Sequence, residues 1–62
     1  MFKVFEVGRP KMFVEVEKLN DAIKMATEHA RLYKCKMEIR RIKGKRTYYV
    51  MTVTGGRDMF VY

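Results

Sequence analysis

The chain has 62 residues, 48% of them hydrophobic, and 14 Lys and Arg against 7 Asp and Glu give it a formal net charge of +7. This size predicts a single domain, residues 1–62, with a thin core and little room for a deep pocket, and the hydrophobic content excludes a disordered chain. No apolar stretch approaches the ~20 residues of a membrane span and no signal-peptide pattern follows Met1, so we expect a cytoplasmic protein with no membrane partner.

The first two predicted strands form a β-hairpin. Phe2 to Val7 and Met12 to Glu17 are rich in residues that favour strands, and Gly8-Arg9-Pro10-Lys11 between them is typical of a turn. If these four residues form the loop, Phe5 lies opposite Val14 and the two share a face of the sheet.

From Leu19 onwards the hydrophobic period changes to that of an amphipathic helix. Asn20 is a suitable N-cap, Asp21 suits the positive end of the helix, and Arg31 and Lys34 suit its negative end. The apolar positions follow the spacing i, i+3, i+4, i+7, and three of them are small enough to let the helix lie close to a sheet: Leu19, Ala22, Ile23, Ala26, Ala30 and Tyr33.

A second hairpin follows, from Lys36 to Ile42 and from Arg46 to Thr54, with Gly44 at the turn. Its register stays open, because the turn could contain two residues, Lys43-Gly44, or three. Met37 and Ile39 would share a face with Tyr48 and Val50 in the first case, and with Tyr49 and Met51 in the second.

Strands one and four have apolar residues on both faces, which is typical of central strands, whereas the charged strand three resembles an edge. The expected fold is α+β, of order ββαββ: a four-stranded, mainly antiparallel sheet in the order 2-1-4-3, with one amphipathic helix packed on one face. Met59 to Tyr62, after the Gly55 to Asp58 turn, could add a short fifth strand. The expected core includes Val14, Val16, Leu19, Ala22, Ile23, Ala26, Ala30, Tyr33, Met37 and Ile39.

The segment from Lys34 to Arg46 holds half of the positive charge and a single acid, Glu38. Cations along a hairpin can contact successive phosphates, although cations on an edge strand also keep sheets from pairing with other chains. Both interpretations remain open for the seven candidate residues, which are Lys34, Lys36, Arg40, Arg41, Lys43, Lys45 and Arg46.

Apolar residues on the sheet face away from the helix, and at the end of the chain, form a second candidate surface. Such residues could stack unpaired bases or could be buried in a homodimer. The candidates are Phe13, Tyr48, Tyr49, Met59, Phe60 and Tyr62.

No pattern of catalytic residues is present. His29 has no second His or Cys at ligand spacing on its helix, and Cys35, the only cysteine, is expected to pack at the helix-strand junction. Gly55-Gly56 lacks the Lys and Ser/Thr of a phosphate-binding loop. We therefore predict a protein that is not an enzyme and that uses neither a cofactor nor a metal.

The order of the elements, with the helix start Leu19-Asn20-Asp21-Ala22-Ile23, the strand Met37 to Ile42 and Tyr48-Tyr49-Val50 after a Gly turn, resembles small uncharacterised bacterial and bacteriophage proteins. The resemblance implies a phage-encoded accessory protein that binds and redirects a host protein or a nucleic acid. It assigns no functional residues, because the shared positions are those that form the fold.

Two functions are therefore expected from this sequence. The first is non-catalytic, largely sequence-independent binding of DNA or RNA through the basic hairpin. The alternative is an accessory protein that modulates an acidic host protein, with the same hairpin for electrostatic steering and the aromatic face or tail as apolar anchor. A homodimer is compatible with both.

Overall fold

The computed structural model describes residues 1–55 and the backbone of residues 60–61. It confirms the α+β fold of order ββαββ, and a short fifth strand pairs with the fourth. The elements are β1 (Phe2–Glu6), β2 (Phe13–Val16), α1 (Leu19–Tyr33), β3 (Lys36–Lys43), β4 (Arg46–Thr54) and β5 (Phe60–Val61).

The sheet is antiparallel, in the order β2-β1-β3-β4-β5. The predicted order 2-1-4-3 is therefore wrong, because β3 is a central strand that pairs with β1 on one side and with β4 on the other. The error came from reading its charges as an edge signal: Met37 and Ile39 are buried under the helix, while the charged residues before, between and after them are exposed or lie on the opposite face.

The β1–β2 hairpin has a longer loop than predicted. Two successive turns, closed by hydrogen bonds from the Arg9 N–H to the Glu6 carbonyl (2.9 Å) and from the Met12 N–H to the Arg9 carbonyl (3.2 Å), shift the register by one residue. Phe5 pairs with Phe13, not with Val14. Since side chains alternate along a strand, the shift places Phe5 beside Phe13 on the face away from the helix, where Phe13 was predicted to lie.

The β3–β4 hairpin turns at Gly44 and Lys45, so neither of the two expected loops is present. The register also changes part-way along: Ile39 pairs with Met51, but Arg40 pairs with Tyr49. Val50 is thus an extra residue in β4, which makes a β-bulge. The bulge explains why β4 is apolar at consecutive positions without being covered on both sides.

Helix α1 begins at Leu19 with Lys18 as N-cap, and within the described part of the chain no side-chain hydrogen bond caps this end. The prediction of Asn20 as N-cap is wrong, since Asn20 lies within the first turn. Asp21 does lie in the first turn and Arg31 in the last. The helix ends at Tyr33, and the C-cap Lys34 adopts a left-handed conformation with φ 51° and donates its backbone N–H to the Ala30 carbonyl.

The core lies between α1 and one face of the sheet. Five of the predicted core residues are buried, namely the three helix alanines and the strand residues Met37 and Ile39, but Val14 and Tyr33 are 49% and 64% exposed. Tyr33 is the last residue of the helix, and its ring packs against His29 and not in the core. The buried apolar residues are Val4, Phe5, Ala22, Ala26, Ala30, Met37, Ile39, Met51 and Val53.

Candidate functional site

The structure separates the candidate cations into two groups. Lys34 and Lys36 lie where α1 ends and β3 begins, whereas the other group lies at the far end of β3 and around the turn. The distance along the strand from Lys36 to Lys43 is about 23 Å at the usual rise of 3.3 Å per residue. We call the second group the hairpin tip, and its four exposed cations are Arg41, Lys43, Lys45 and Arg46.

Arg40 stands apart from both groups, because the fold already uses its side chain. Its guanidinium donates to the Glu38 carboxylate at 2.9 Å and to the Thr47 hydroxyl at 3.0 Å, and it also donates to the Thr47 carbonyl at 3.3 Å. The side chain is 30% exposed. Arg40 therefore links β3 to β4, and its charge is balanced locally by Glu38.

Two tyrosines accompany the cations of the hairpin tip. Tyr48, 48% exposed, is the cross-strand partner of Arg41, and Tyr49, 50% exposed, is the partner of Arg40. The Tyr49 hydroxyl is 2.8 Å from the Thr52 hydroxyl, which restrains the ring. A shallow concavity of about 400 Å³ is lined by Arg41, Lys43, Tyr48, Tyr49 and Val50.

No Asp or Glu occurs from residue 39 to residue 55, so no carboxylate of β4 faces the tip cations across the strand pair. The bulge at Val50 also separates the tip from the part of the sheet that packs against α1. The tip can therefore present its charge and its aromatic rings to a ligand without involving core residues.

The sheet face away from the helix is less apolar than expected. The Lys3 ammonium lies 4.3 Å from the ring centre of Phe13 and 5.4 Å from that of Phe5, so its aliphatic stem covers aromatic surface. Phe5 is 8% exposed and Phe13 44%. Of the tail candidates, Met59 and Tyr62 lie outside the described residues, and only the backbone of Phe60 is described.

The sequence did not reveal a second cluster, formed by Glu6, His29 and Cys35. One ligand atom of each side chain, a carboxylate oxygen, an imidazole nitrogen and the thiol sulfur, lies within 4.8 Å of the others. All three side chains are half-buried in a groove of about 620 Å³ between α1 and the β1–β2 hairpin, which we call the helix groove.

Three different elements position this cluster. Glu6 ends β1 and pairs with Met37, His29 lies in the second half of α1, and Cys35 follows the helix with its N–H donated to the Ala30 carbonyl at 3.2 Å. The imidazole of His29 packs against the Tyr33 ring, with 4.5 Å between ring centres.

The surroundings of the Cys35 thiol oppose its ionisation. Burial raises its pKa above the ordinary value, and the nearby negative charge of Glu6 raises it further. The thiol hydrogen is directed at the Met37 sulfur, 3.8 Å away. The cluster therefore lacks the depressed thiol pKa that cysteine-based catalysis requires, but its three donor types are those of a metal site.

A sequence signal for part of the cluster existed. His29 is three residues after Ala26 and four before Tyr33, so it lies at the border of the apolar helix face and not on the solvent side. Cys35 and Glu6 could not be added to it by spacing, because only the tertiary fold brings β1 beside the end of α1.

No protein-family model matches this chain, and neither a curated protein nor a solved structure shows significant similarity to it. In the described part of the chain, no helix is both long enough and apolar enough to cross a membrane. The resemblance to small phage and bacterial proteins remains a prediction.

Proposed function

We propose that this protein binds single-stranded nucleic acid, without catalysing a reaction and largely without regard to base sequence, through the hairpin tip. The observation that carries the proposal is the combination of four exposed cations with two half-exposed tyrosines on one hairpin end that has no acidic residue. Basic residues interleaved with aromatic rings are typical of surfaces that follow a phosphate backbone and stack its bases.

In this proposal each type of residue has a separate role. Arg41, Lys43 and Arg46 belong to paired strands whose backbone is held by the sheet, so their charges are presented from a rigid support. Lys45 extends this charge into the turn. The Tyr48 and Tyr49 rings offer stacking surface, worth about 1–3 kcal/mol per base in other single-strand binders.

The tyrosines favour a single strand over a duplex. Bases in a duplex are already stacked on one another, whereas unpaired bases can turn outward onto an aromatic ring. Cations alone would not distinguish between the two forms, because both carry a phosphate backbone. The proposal therefore predicts that duplex competes less well than a single strand of equal length.

The test is a fluorescence-anisotropy titration of the whole chain with a labelled oligo(dT) and an oligo(U) over a salt series. If the tip neutralises four phosphates, raising the salt from 50 to 200 mM should weaken binding by about fiftyfold, from a slope of about −0.7 per phosphate. The double variant Lys43→Gln/Lys45→Gln should lower the slope magnitude by about 1.4.

The matched control is Lys34→Gln/Lys36→Gln, which removes the same charge at the other end of β3. Its salt slope should remain that of the unchanged protein, and Tyr48→Ala should weaken binding to a single strand more than to a duplex. Absence of binding at 50 mM salt, or equal losses in the two double variants, would contradict the proposal, since equal losses indicate attraction by net charge alone.

A further inference from the structure

We propose that the helix groove is a zinc site, in which the Glu6 carboxylate, the His29 imidazole and the Cys35 thiolate bind one Zn²⁺ and the fourth coordination position faces the groove. The inference is independent of the nucleic-acid proposal, because Glu6, His29 and Cys35 share no residue with the hairpin tip. It rests on the position and chemistry of three side chains that come from separate segments of the chain.

The distances are compatible with coordination. Zn²⁺ lies about 2.0–2.3 Å from nitrogen, oxygen and sulfur ligands, so the donor atoms of a tetrahedral site are about 3.3–3.8 Å apart. The three donor atoms here are at most 4.8 Å apart. Rotations about the side-chain bonds of Glu6 and His29 that move the donor atoms by about 1 Å would close this difference without moving the backbone.

The donor set selects the metal. One nitrogen, one thiolate and one carboxylate are ligands that Zn²⁺ accepts together, whereas Mg²⁺ and Ca²⁺ prefer oxygen alone. The carboxylate and the thiolate bring two negative charges to a divalent cation, so the bound site is neutral. Binding of Zn²⁺ releases the proton of the Cys35 thiol, and the cation then offsets the repulsion between the resulting thiolate and the Glu6 carboxylate.

The surroundings favour a site in which the ligands are restrained and the fourth coordination position is open. His29 packs on the Tyr33 ring at 4.5 Å, which limits rotation of the imidazole. The groove wall contributes the apolar side chains of Met12 and Met25, and it leaves a volume of about 620 Å³ beside the three ligands. Three protein ligands and a free position are the arrangement of zinc sites that bind an exchangeable water or small ligand.

The experiment uses the untagged, reduced chain, freed of metal with a chelator. Competition with a chromophoric zinc chelator should give one equivalent of Zn²⁺ per chain. Co²⁺ in place of Zn²⁺ should show a thiolate-to-metal charge-transfer band and the intense visible bands of a tetrahedral ion. Zn²⁺ should also protect Cys35 of the unchanged protein from alkylation, a readout that needs no variant.

Three variants assign the ligands: Glu6→Gln, His29→Gln and Cys35→Ser. Each should weaken Zn²⁺ binding by about a hundredfold or more, because loss of even an outer-shell partner costs about 10–100-fold. The matched control is Glu28→Gln, which neutralises an exposed carboxylate next to His29 on α1 and should leave the affinity unchanged. Circular dichroism of each metal-free variant establishes that it is folded.

Several results would overturn the inference. One is failure of Zn²⁺ to compete with the chelator or to slow alkylation of the unchanged protein. Others are full affinity in folded His29→Gln or Cys35→Ser, and a Co²⁺ spectrum without the thiolate band. Binding of Mg²⁺ in preference to Zn²⁺ would equally exclude a site built on nitrogen and sulfur.

Discussion

Gly55 packs directly against the Ala30 carbonyl, so the start of the C-terminal segment and the last turn of α1 share a contact that leaves no room for a side chain. A Cβ at position 55 would collide with the carbonyl oxygen and would stand 2.8 Å from the carbonyl carbon. The Gly55 N–H donates to the Cys35 carbonyl at 3.1 Å. This contact fixes the end of β4 beside the helix-strand junction.

Gly55→Ala is expected to lower the free energy of unfolding by about 1–3 kcal/mol, because the new methyl group forces two backbone segments apart. Urea denaturation followed by circular dichroism measures the change. Gly44→Asn is the control: its φ of 63° suits Asn, and no described atom lies within 4 Å of a Cβ there, so its stability should change little. A Gly55→Ala protein with an unchanged free energy of unfolding would show that Gly55 and the Ala30 carbonyl are not in close contact.

Lys34→Gly should stabilise the protein by about 0.5–1 kcal/mol. The left-handed conformation that Lys34 adopts after α1 is strained for a residue with a Cβ and unstrained for glycine. Thermal denaturation is a sufficient measurement. The same substitution at Lys24, exposed in the middle of the helix, should instead destabilise by about 1 kcal/mol. If Lys34→Gly lowered the free energy of unfolding as much as Lys24→Gly does, Lys34 would not adopt the left-handed conformation.

Amide hydrogen exchange distinguishes the observed strand order from the alternative 2-1-4-3. In the structure the Ile42 N–H donates to the Met1 carbonyl at 2.9 Å, so amides of β3 that point away from β4 are bonded to β1. They should exchange slowly, since exchange requires opening of the central pair. Exchange at the rate of an exposed edge strand at Ile42, Arg40 and Glu38 would contradict the order.

Ile39→Ala should cost about 2–5 kcal/mol of stability and Ile39→Val about 0.5–1.5 kcal/mol, because Ile39 is fully buried beneath α1. Ile42→Ala, three residues further along β3 and partly exposed on the opposite face, serves as the comparison and should cost less than half as much as Ile39→Ala. Equilibrium unfolding in urea provides all three values. Similar losses at both positions would place β3 outside the core.

The fold was predictable from sequence because its main signals are local. The helix period from Leu19 to Tyr33 and the turn signals at Gly8 and Gly44 define two hairpins around a helix. Register was not predictable, since it depends on two irregularities with no local signature, the double turn before Phe13 and the extra residue Val50. Strand order was mispredicted because the charges of β3 resemble those of an edge strand. A one-residue error in register moves a whole strand's side chains to the other face.

The candidate sites were predictable to different degrees. Charge clustering did identify the cations of the hairpin tip, but sequence neighbours are not spatial neighbours in an extended strand, so Lys36 lies far from Lys43. Clustering of charge could not separate Arg40 from Arg41. Only the side-chain alternation of a strand indicates that Arg40, and not Arg41, lies on the same face as Glu38. The helix groove was missed because its three proposed ligands are contributed by segments up to 29 positions apart, from Glu6 to Cys35.

The bulge at Val50 makes the end of the β3–β4 hairpin, from Arg40 to Tyr49, an exchangeable part of the molecule. Pairing from Lys36 to Ile39 follows one register with β4 and pairing from Arg40 to Lys43 follows another, so the two halves meet at an offset. Foreign hairpin ends of equal length could therefore be grafted between Arg40 and Tyr49 while Ile39 and Met51 keep their places. The sequence beyond the bulge can thus change while the residues that pack against α1 stay the same.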